Sequence, residues 1–138
     1  MSSNDVYQKV ILDHNRNPRF YEIPNDYTHH GVSSNPLCGD HIEVYFTVKE
    51  HRLEKVGFQG EGCAVCKSSA SLLLSSIQGM PVEKANNYLE GLDDLLDEKN
   101  ENIERYGELK AFSAMRNFPT RFKCVKLSWS AARAALEE

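Results

Sequence analysis

The sequence has no apolar run approaching the roughly 20 residues of a membrane-spanning helix, which argues against a role inside a bilayer. Its opening, Met1-Ser2-Ser3-Asn4-Asp5, lacks the basic start and apolar core of a secretory leader, so a cytoplasmic location is expected. It has no basic excess either. Sixteen Lys and Arg stand against twenty Asp and Glu, and the formal net charge of -4 argues against nucleic acid as a main partner, leaving room only for a local basic patch near the C-terminus. No Gly-x-Ser-x-Gly elbow supports a hydrolase. No repeat, low-complexity tract or composition shift divides the 138 residues, so one domain over 1–138 is expected, large enough to bury a core without disulfides. Cysteine is scarce, with four residues at Cys38, Cys63, Cys66 and Cys124; in a reducing compartment these are free thiols or metal ligands before they are disulfides.

What is present is a set of turn-flanked thiols on an alternating scaffold. Asp5 to His14 has helical spacing in Val6, Tyr7, Val10, Ile11 and Leu12, with Asn4 or Asp5 as cap, and stops near Pro18. Arg19 to Asn35 has little periodicity and reads as an irregular segment leading into an edge strand. Asn35-Pro36-Leu37-Cys38-Gly39-Asp40 is a tight turn carrying a thiol and a carboxylate. Ile42, Val44, Phe46 and Val48 alternate with Glu43, Tyr45 and Thr47, which predicts a strand, and Leu53 to Phe58 returns as its hairpin partner after the polar Lys49 to Arg52. The hairpin brings Cys38 and Cys63 to one end of the sheet.

Gly60-Glu61-Gly62-Cys63-Ala64-Val65-Cys66-Lys67 then marks a change from strand to helix, with Cys63 at the first helical turn, where the positive end of the helix dipole favours a thiolate. The helix is expected from Ala64 to Gln78, ended by Gly79 and Pro81, with a second helix starting near Pro81. Asp93 to Glu104 reads as an acidic helix end and a solvated connection, Glu108 to Met115 as a short helix, and Leu127 to Leu136 as a closing helix that Arg121-Phe122-Lys123-Cys124 leads into.

Cys38, Cys63 and Cys124 each stand beside turn residues rather than inside apolar runs, as reactive or ligating thiols do. With Asp40 they form an S3O set suited to tetrahedral zinc and also able to hold iron and sulfide; spacing does not choose between them. Cys66, three residues after Cys63 on a helix, lies on roughly the same face. It reads as a fourth sulfur ligand in place of Asp40 or a second sulfur acceptor, or as a small residue packed under the first turn; the packed reading is preferred because cysteine is commonly a buried apolar group. His41 adjoins Asp40 but points to the opposite strand face, His14 and His51 have no visible partner, and Tyr45 and Trp129 read as packing residues.

The ordered blocks Asn35 to Asp40, Gly60 to Ala64 with Lys67, Ser69, Ala70 and Ser71, and Arg121 to Cys124 with Leu127-Ser128-Trp129 resemble the IscU/NifU-N family of iron-sulfur cluster assembly proteins. Tyr7, Leu12-Asp13-His14 and Asn17-Pro18-Arg19 resemble its opening helix and turn. Lys123, where classical scaffolds have histidine, and the 60 residues from 64 to 123 between Cys63 and Cys124 resemble its SufU branch, the zinc-dependent sulfurtransferases.

The resemblance implies an α+β fold, with a small antiparallel sheet of about three strands packed with helices. It implies zinc held by Cys38, Asp40, Cys63 and Cys124, and a pyridoxal-phosphate cysteine desulfurase (SufS-like) as sulfur donor. Cys38 is then the persulfide acceptor, and Arg121 docks or orients the partner. Downstream assembly or recipient proteins of iron-sulfur clusters follow. Lys123, if it faces the site, offsets part of the negative charge of four anionic ligands on a divalent ion. The alternatives are a scaffold on which a [2Fe-2S] cluster is built, held by the same four residues, and a structural or regulatory zinc-binding domain.

Overall fold

The computed structural model describes residues 3–36, 39–97 and 104–137. Helix α1 (Ser3–Arg16) precedes three strands, β1 (His29–Asn35), β2 (Asp40–Lys49) and β3 (Arg52–Glu61), which form one antiparallel sheet in the order β1-β2-β3. Helices α2 (Ala64–Ile77) and α3 (Val82–Gly91) follow. Tight 3-10 stretches at Leu92–Leu96, at Glu104–Asn117, which is kinked at Gly107, and at Pro119–Arg121 then lead into α4 (Phe122–Leu136). This is the expected α+β class with the expected three-stranded sheet.

The hairpin forms because its alternating residues share one dry face. Ile42, Val44 and Phe46 are fully buried and pair with Gly60, Phe58 and Val56 across the ladder. A bulge between Thr47 and Val48 breaks the register just before the turn. The turn itself is two residues, Glu50 and His51, both with positive φ (52° and 63°), the twist that a right-handed hairpin favours. The opposite face is covered as well: Tyr45, only 5% exposed, is stacked under the His30 ring at 4.5 Å and met edge-on by Tyr27 at 4.9 Å. The edge strand occupies only the last seven residues of the segment from which it was expected. Its Gly31 rests directly on α4, where a Cβ would stand 2.0 Å from the Ala131 carbonyl oxygen and 2.5 Å from the Ala135 nitrogen.

Helix α2 is the central post, buried on nearly every side. Its serines make that possible, because small side chains admit close neighbours and their hydroxyls satisfy the backbone of those neighbours. Ser68 donates to the Ile11 carbonyl of α1 at 2.8 Å, and Ser69 to the Val125 carbonyl of α4 at 2.6 Å. Ser71 accepts from the Arg19 backbone at 2.8 Å and shares a 2.7 Å hydrogen bond with His14 Nδ1. His14 therefore does have a partner, contrary to expectation, and is buried; that partner lies 57 residues away.

Helix α1 packs Tyr7, Val10, Ile11 and His14 inward and leaves Val6 and Leu12 exposed, because the i, i+3, i+4, i+7 stripe selects the former set. Asn4 and Asp5 fall inside its first turn instead of capping it. Helix α3 starts next to Pro81 as expected, with the proline as its N-cap instead of inside the first turn. In the acidic stretch Leu92, Leu95 and Leu96 are buried while Asp93 faces Lys126 and Arg133 of α4, each at 3.6 Å. The expected connection around 98–102 lies outside the described residues.

Candidate metal centre

Three segments distant in sequence meet at one end of the sheet. β2 begins at Asp40 and β3 ends at Glu61, which pairs with His41, so the antiparallel ladder sets the entry of one strand beside the exit of the other. The chain then passes Gly62 and enters α2 with Cys63 as its N-cap, in extended geometry (φ -71°, ψ 171°). Cys66 lies one turn further along. Cys124 arrives on α4, inside its first turn rather than ahead of the helix as expected. The helix starts earlier because Cys124, Val125, Ser128, Trp129, Ala132 and Ala135 make one continuous buried stripe.

One ligand atom from each of Asp40, Cys63, Cys66 and Cys124 lies within 4.8 Å of all the others. Cys63 Sγ and Cys66 Sγ are 3.8 Å apart. The thiols of Cys66 and Cys124 point at Asp40 Oδ2, at 3.4 and 3.5 Å. In a tetrahedron with metal–sulfur bonds of about 2.3 Å and metal–oxygen bonds of about 2.1 Å, the S···S edge is about 3.8 Å and the S···O edge about 3.6 Å. The donors present therefore suit zinc in chemistry and in spacing. Thiolate sulfurs equally suit iron, so the donor set does not by itself select the metal.

Burial dominates the electrostatics. Asp40, Cys66 and Cys124 are 5%, 0% and 4% exposed, whereas Cys63 is half-buried. Desolvation, reinforced by the Cys63 sulfur and Asp40, pushes the Cys124 thiol up to about 11. Desolvation, then the neighbouring Cys63 and Cys124 sulfurs and Asp40, raises the Cys66 thiol as well. Two helix N-termini, those of α2 and α4, pull the other way by favouring negative charge. Without a metal the balance keeps Cys66 and Cys124 protonated at neutral pH, as donors to Asp40.

The remaining sequence candidates are placed as follows. Cys38, with Leu37, lies outside the described residues. Arg121 and Lys123 are both exposed, and among the described residues neither makes an ion pair. Arg121 lines a shallow depression with Cys63, Val65, Met115 and Phe118. Lys123 lines a different depression, with Asn35, Pro36 and Leu127. His41 is exposed and faces Glu43 at 3.9 Å. Gly62 gives the close approach that glycine allows beside Cys63: a Cβ there would meet the Cys66 Cβ at 3.0 Å and Asp40 Oδ1 at 3.2 Å. Its lack of a side chain lets the carboxylate and the thiol close on each other. The Gly-x-Gly spacing before Cys63 was the available signal.

A helix-backed antiparallel sheet with a cysteine-rich donor site at one end defines a class of small assembly domains. The chain belongs to the family of the NifU-like N-terminal domain, whose model matches residues 6–125. It is 34% identical over 128 residues to the zinc-dependent sulfurtransferase SufU of Bacillus subtilis, covering 91% of this chain and 86% of that protein. It is 29% identical over 133 residues to the iron-sulfur cluster assembly scaffold protein IscU of Thermotoga maritima, covering 96% and 94%. The crystal structure of a candidate iron-sulfur cluster assembly scaffold protein for the SUF system from Fervidobacterium islandicum superposes with a TM-score of 0.86, at 24% identity over 98% of this chain and 99% of that one, and shares the fold. Among the described residues no helix is long and apolar enough to cross a membrane.

Proposed function

We propose that this protein serves iron-sulfur cluster biogenesis as a zinc-dependent acceptor of persulfide sulfur from a pyridoxal-phosphate cysteine desulfurase. The observation that carries the reading is the convergence of Asp40, Cys63, Cys66 and Cys124 within 4.8 Å, a donor set matched to zinc. Similarity to a relative named as a zinc-dependent sulfurtransferase supports it. When bound, zinc supplies charge that keeps coordinated thiols deprotonated near neutral pH.

Sulfur transfer is an exchange at sulfur. The Cys38 thiolate attacks the terminal sulfur of the desulfurase persulfide, forming a new S–S bond; the bond from that sulfur to the desulfurase cysteine breaks, and that cysteine leaves as a thiolate. The sum is neutral in electrons and in protons. Cys63 and Cys124, each anchored at a helix start, hold the metal side of the site while Cys38 carries the sulfur. Arg121, beside the exposed Phe118 near Cys63, offers a cationic and apolar contact to the partner. Lys123, next to Cys124 in the chain, lends positive charge to the anionic centre.

Desulfurase turnover measured with and without this protein tests the reading. Stimulation is expected, with one sulfur atom gained on the peptide containing Cys38, and Cys38→Ala should abolish both. Full stimulation by the variant would remove Cys38 from the acceptor role. Similarity to scaffolds named IscU favours a second reading, assembly of a [2Fe-2S] cluster at the same residues. Protein purified without oxygen separates the two: a visible iron-sulfur chromophore with no zinc would support the scaffold and sink the zinc reading.

A further inference from the structure

We propose that Cys66 is a resident metal ligand, completing a four-donor shell with Asp40, Cys63 and Cys124 so that zinc stays bound while Cys38 is engaged with sulfur. The inference rests on the zinc-dependent reading above and assigns its ligands differently. Three observations carry it.

The first is spacing. Cys66 Sγ stands 3.8 Å from Cys63 Sγ and 3.4 Å from Asp40 Oδ2, the two edges that a tetrahedral zinc would impose on it, and Cys124 Sγ reaches the same oxygen at 3.5 Å. A cysteine serving only as a small apolar filler gains nothing by aiming its sulfur at a carboxylate.

The second is the state of Asp40. A carboxylate that is only 5% exposed needs strong donors or a cation, because burying its charge without them is costly. Among the described residues its side chain receives hydrogen bonds only from the thiols of Cys66 and Cys124, and S–H is a weak donor. No Lys, Arg or His forms an ion pair with it among those residues. One divalent ion shared with the three sulfurs would satisfy it.

The third is Gly62. Its φ is not in the left-handed range, so backbone conformation does not demand glycine here. Space does, since a methyl group would press on the Cys66 Cβ at 3.0 Å and on Asp40 Oδ1 at 3.2 Å. The chain thus keeps open the gap across which Asp40 and Cys66 approach each other.

Structural zinc sites close with four ligands, and these four residues supply them without Cys38. The acceptor can then leave for the partner, carry sulfur and return without the site losing its metal. In a site of three cysteines and an aspartate that includes Cys38, departure of the acceptor would leave zinc one ligand short.

Metal binding to the full chain tests this directly. Zinc stoichiometry and affinity, together with the sulfur-to-cobalt charge-transfer band of the cobalt-substituted protein, are measured for the wild type, Cys38→Ala and Cys66→Ala, with circular dichroism as the check on folding. Cys38→Ala is expected to retain one zinc per chain with affinity within about fivefold of wild type, and to keep the full charge-transfer intensity. Cys66→Ala should lose roughly hundredfold or more in affinity and part of that intensity. Should Cys66→Ala misfold, Cys66→Ser, which keeps the side chain's shape but removes the sulfur donor, provides the same test, with weaker zinc binding expected. Cys38→Ala losing zinc while Cys66→Ala keeps it would overturn the assignment and leave the sulfur-acceptor function standing. A wild type that binds no zinc would overturn the zinc reading itself.

Discussion

Loading the site with zinc should expel protons, and their number follows from the burial of its thiols. Cys124 is pushed up to about 11 and Cys66 is also raised, so at pH 7 both enter the reaction as thiols. Zinc takes thiolates, and each proton must therefore leave. For Cys124 the gap between about 11 and pH 7 corresponds to roughly 5 kcal/mol at about 1.4 kcal/mol per unit. Structural zinc binding to small cysteine-containing domains releases roughly 10–16 kcal/mol, so the metal wins, but with an affinity that protons oppose.

Raising the pH removes that opposition. Apparent affinity should climb about tenfold per pH unit for each proton displaced, hence about a hundredfold between pH 6.5 and 7.5 from the Cys66 and Cys124 protons alone. Competition against a chromophoric chelator at several pH values gives the slope, and calorimetry in buffers of different protonation enthalpy counts the protons. A release of one proton per zinc or fewer would refute the reasoning. Either one of the two thiols is not a ligand, or burial does not hold its proton.

Three further outcomes are expected. Gly31→Ala would drive a methyl group to 2.0 Å from the Ala131 carbonyl oxygen, on rigid backbone that cannot yield cheaply, so a loss of about 1–3 kcal/mol or more is expected in denaturant unfolding; an unchanged midpoint would mean that β1 and α4 are less closely packed. Thr47 carries a fully buried hydroxyl with no hydrogen-bond partner among the described residues, so Thr47→Val should be neutral or stabilise by about 1 kcal/mol, and a clear drop in thermal midpoint would reveal a bond to that hydroxyl. Burial, with Arg19 adding to it, lowers the pKa of His14 below its ordinary 6.5. The unfolded chain therefore takes up that proton first, and stability should fall as the pH drops through about 6.5 and level off below the folded value. Urea midpoints of wild type and His14→Gln at pH 5.5 and 7.5 should show a smaller pH dependence in the variant, and parallel behaviour would assign the acid sensitivity elsewhere.

The hairpin was legible because its signal is local. Ile42, Val44 and Phe46 alternate with period two, and no other arrangement of that segment hides all three. From the hairpin alone it followed that the entry of β2 and the exit of β3 share one end of the sheet, which is where Asp40, the first residue of β2, and Cys63 are found; Cys38, for which the expectation was made, lies outside the described residues. Helix ends were read less well. The sequence pattern puts Cys124 ahead of a helix over Leu127 to Leu136, whereas the buried stripe begins at Cys124 and passes between Lys123 and Lys126 without a break. The pairing of His14 with Ser71 had no sequence signal, since it joins two helices whose packing depends on which serines of α2 face inward.

By itself, then, the sequence determined the chemistry available and its approximate place. Three thiols and a carboxylate beside turn residues, in a strand–turn–helix order, are properties of neighbours in the chain, and so are the family blocks they carry. Only tertiary structure decided where the Cys66 sulfur points. On an isolated helix it is merely three residues from Cys63, a spacing that admits a ligand but for which the packed filler is the preferred reading. The decision lies in how α2 is rotated against β2 and α4, a rotation set by its buried leucines, by the Ser69 bond to Val125 and by the absent side chain of Gly62. Those constraints are long-range and mutual, and they turn the Cys66 sulfur toward Asp40 while leaving it no exposure to solvent.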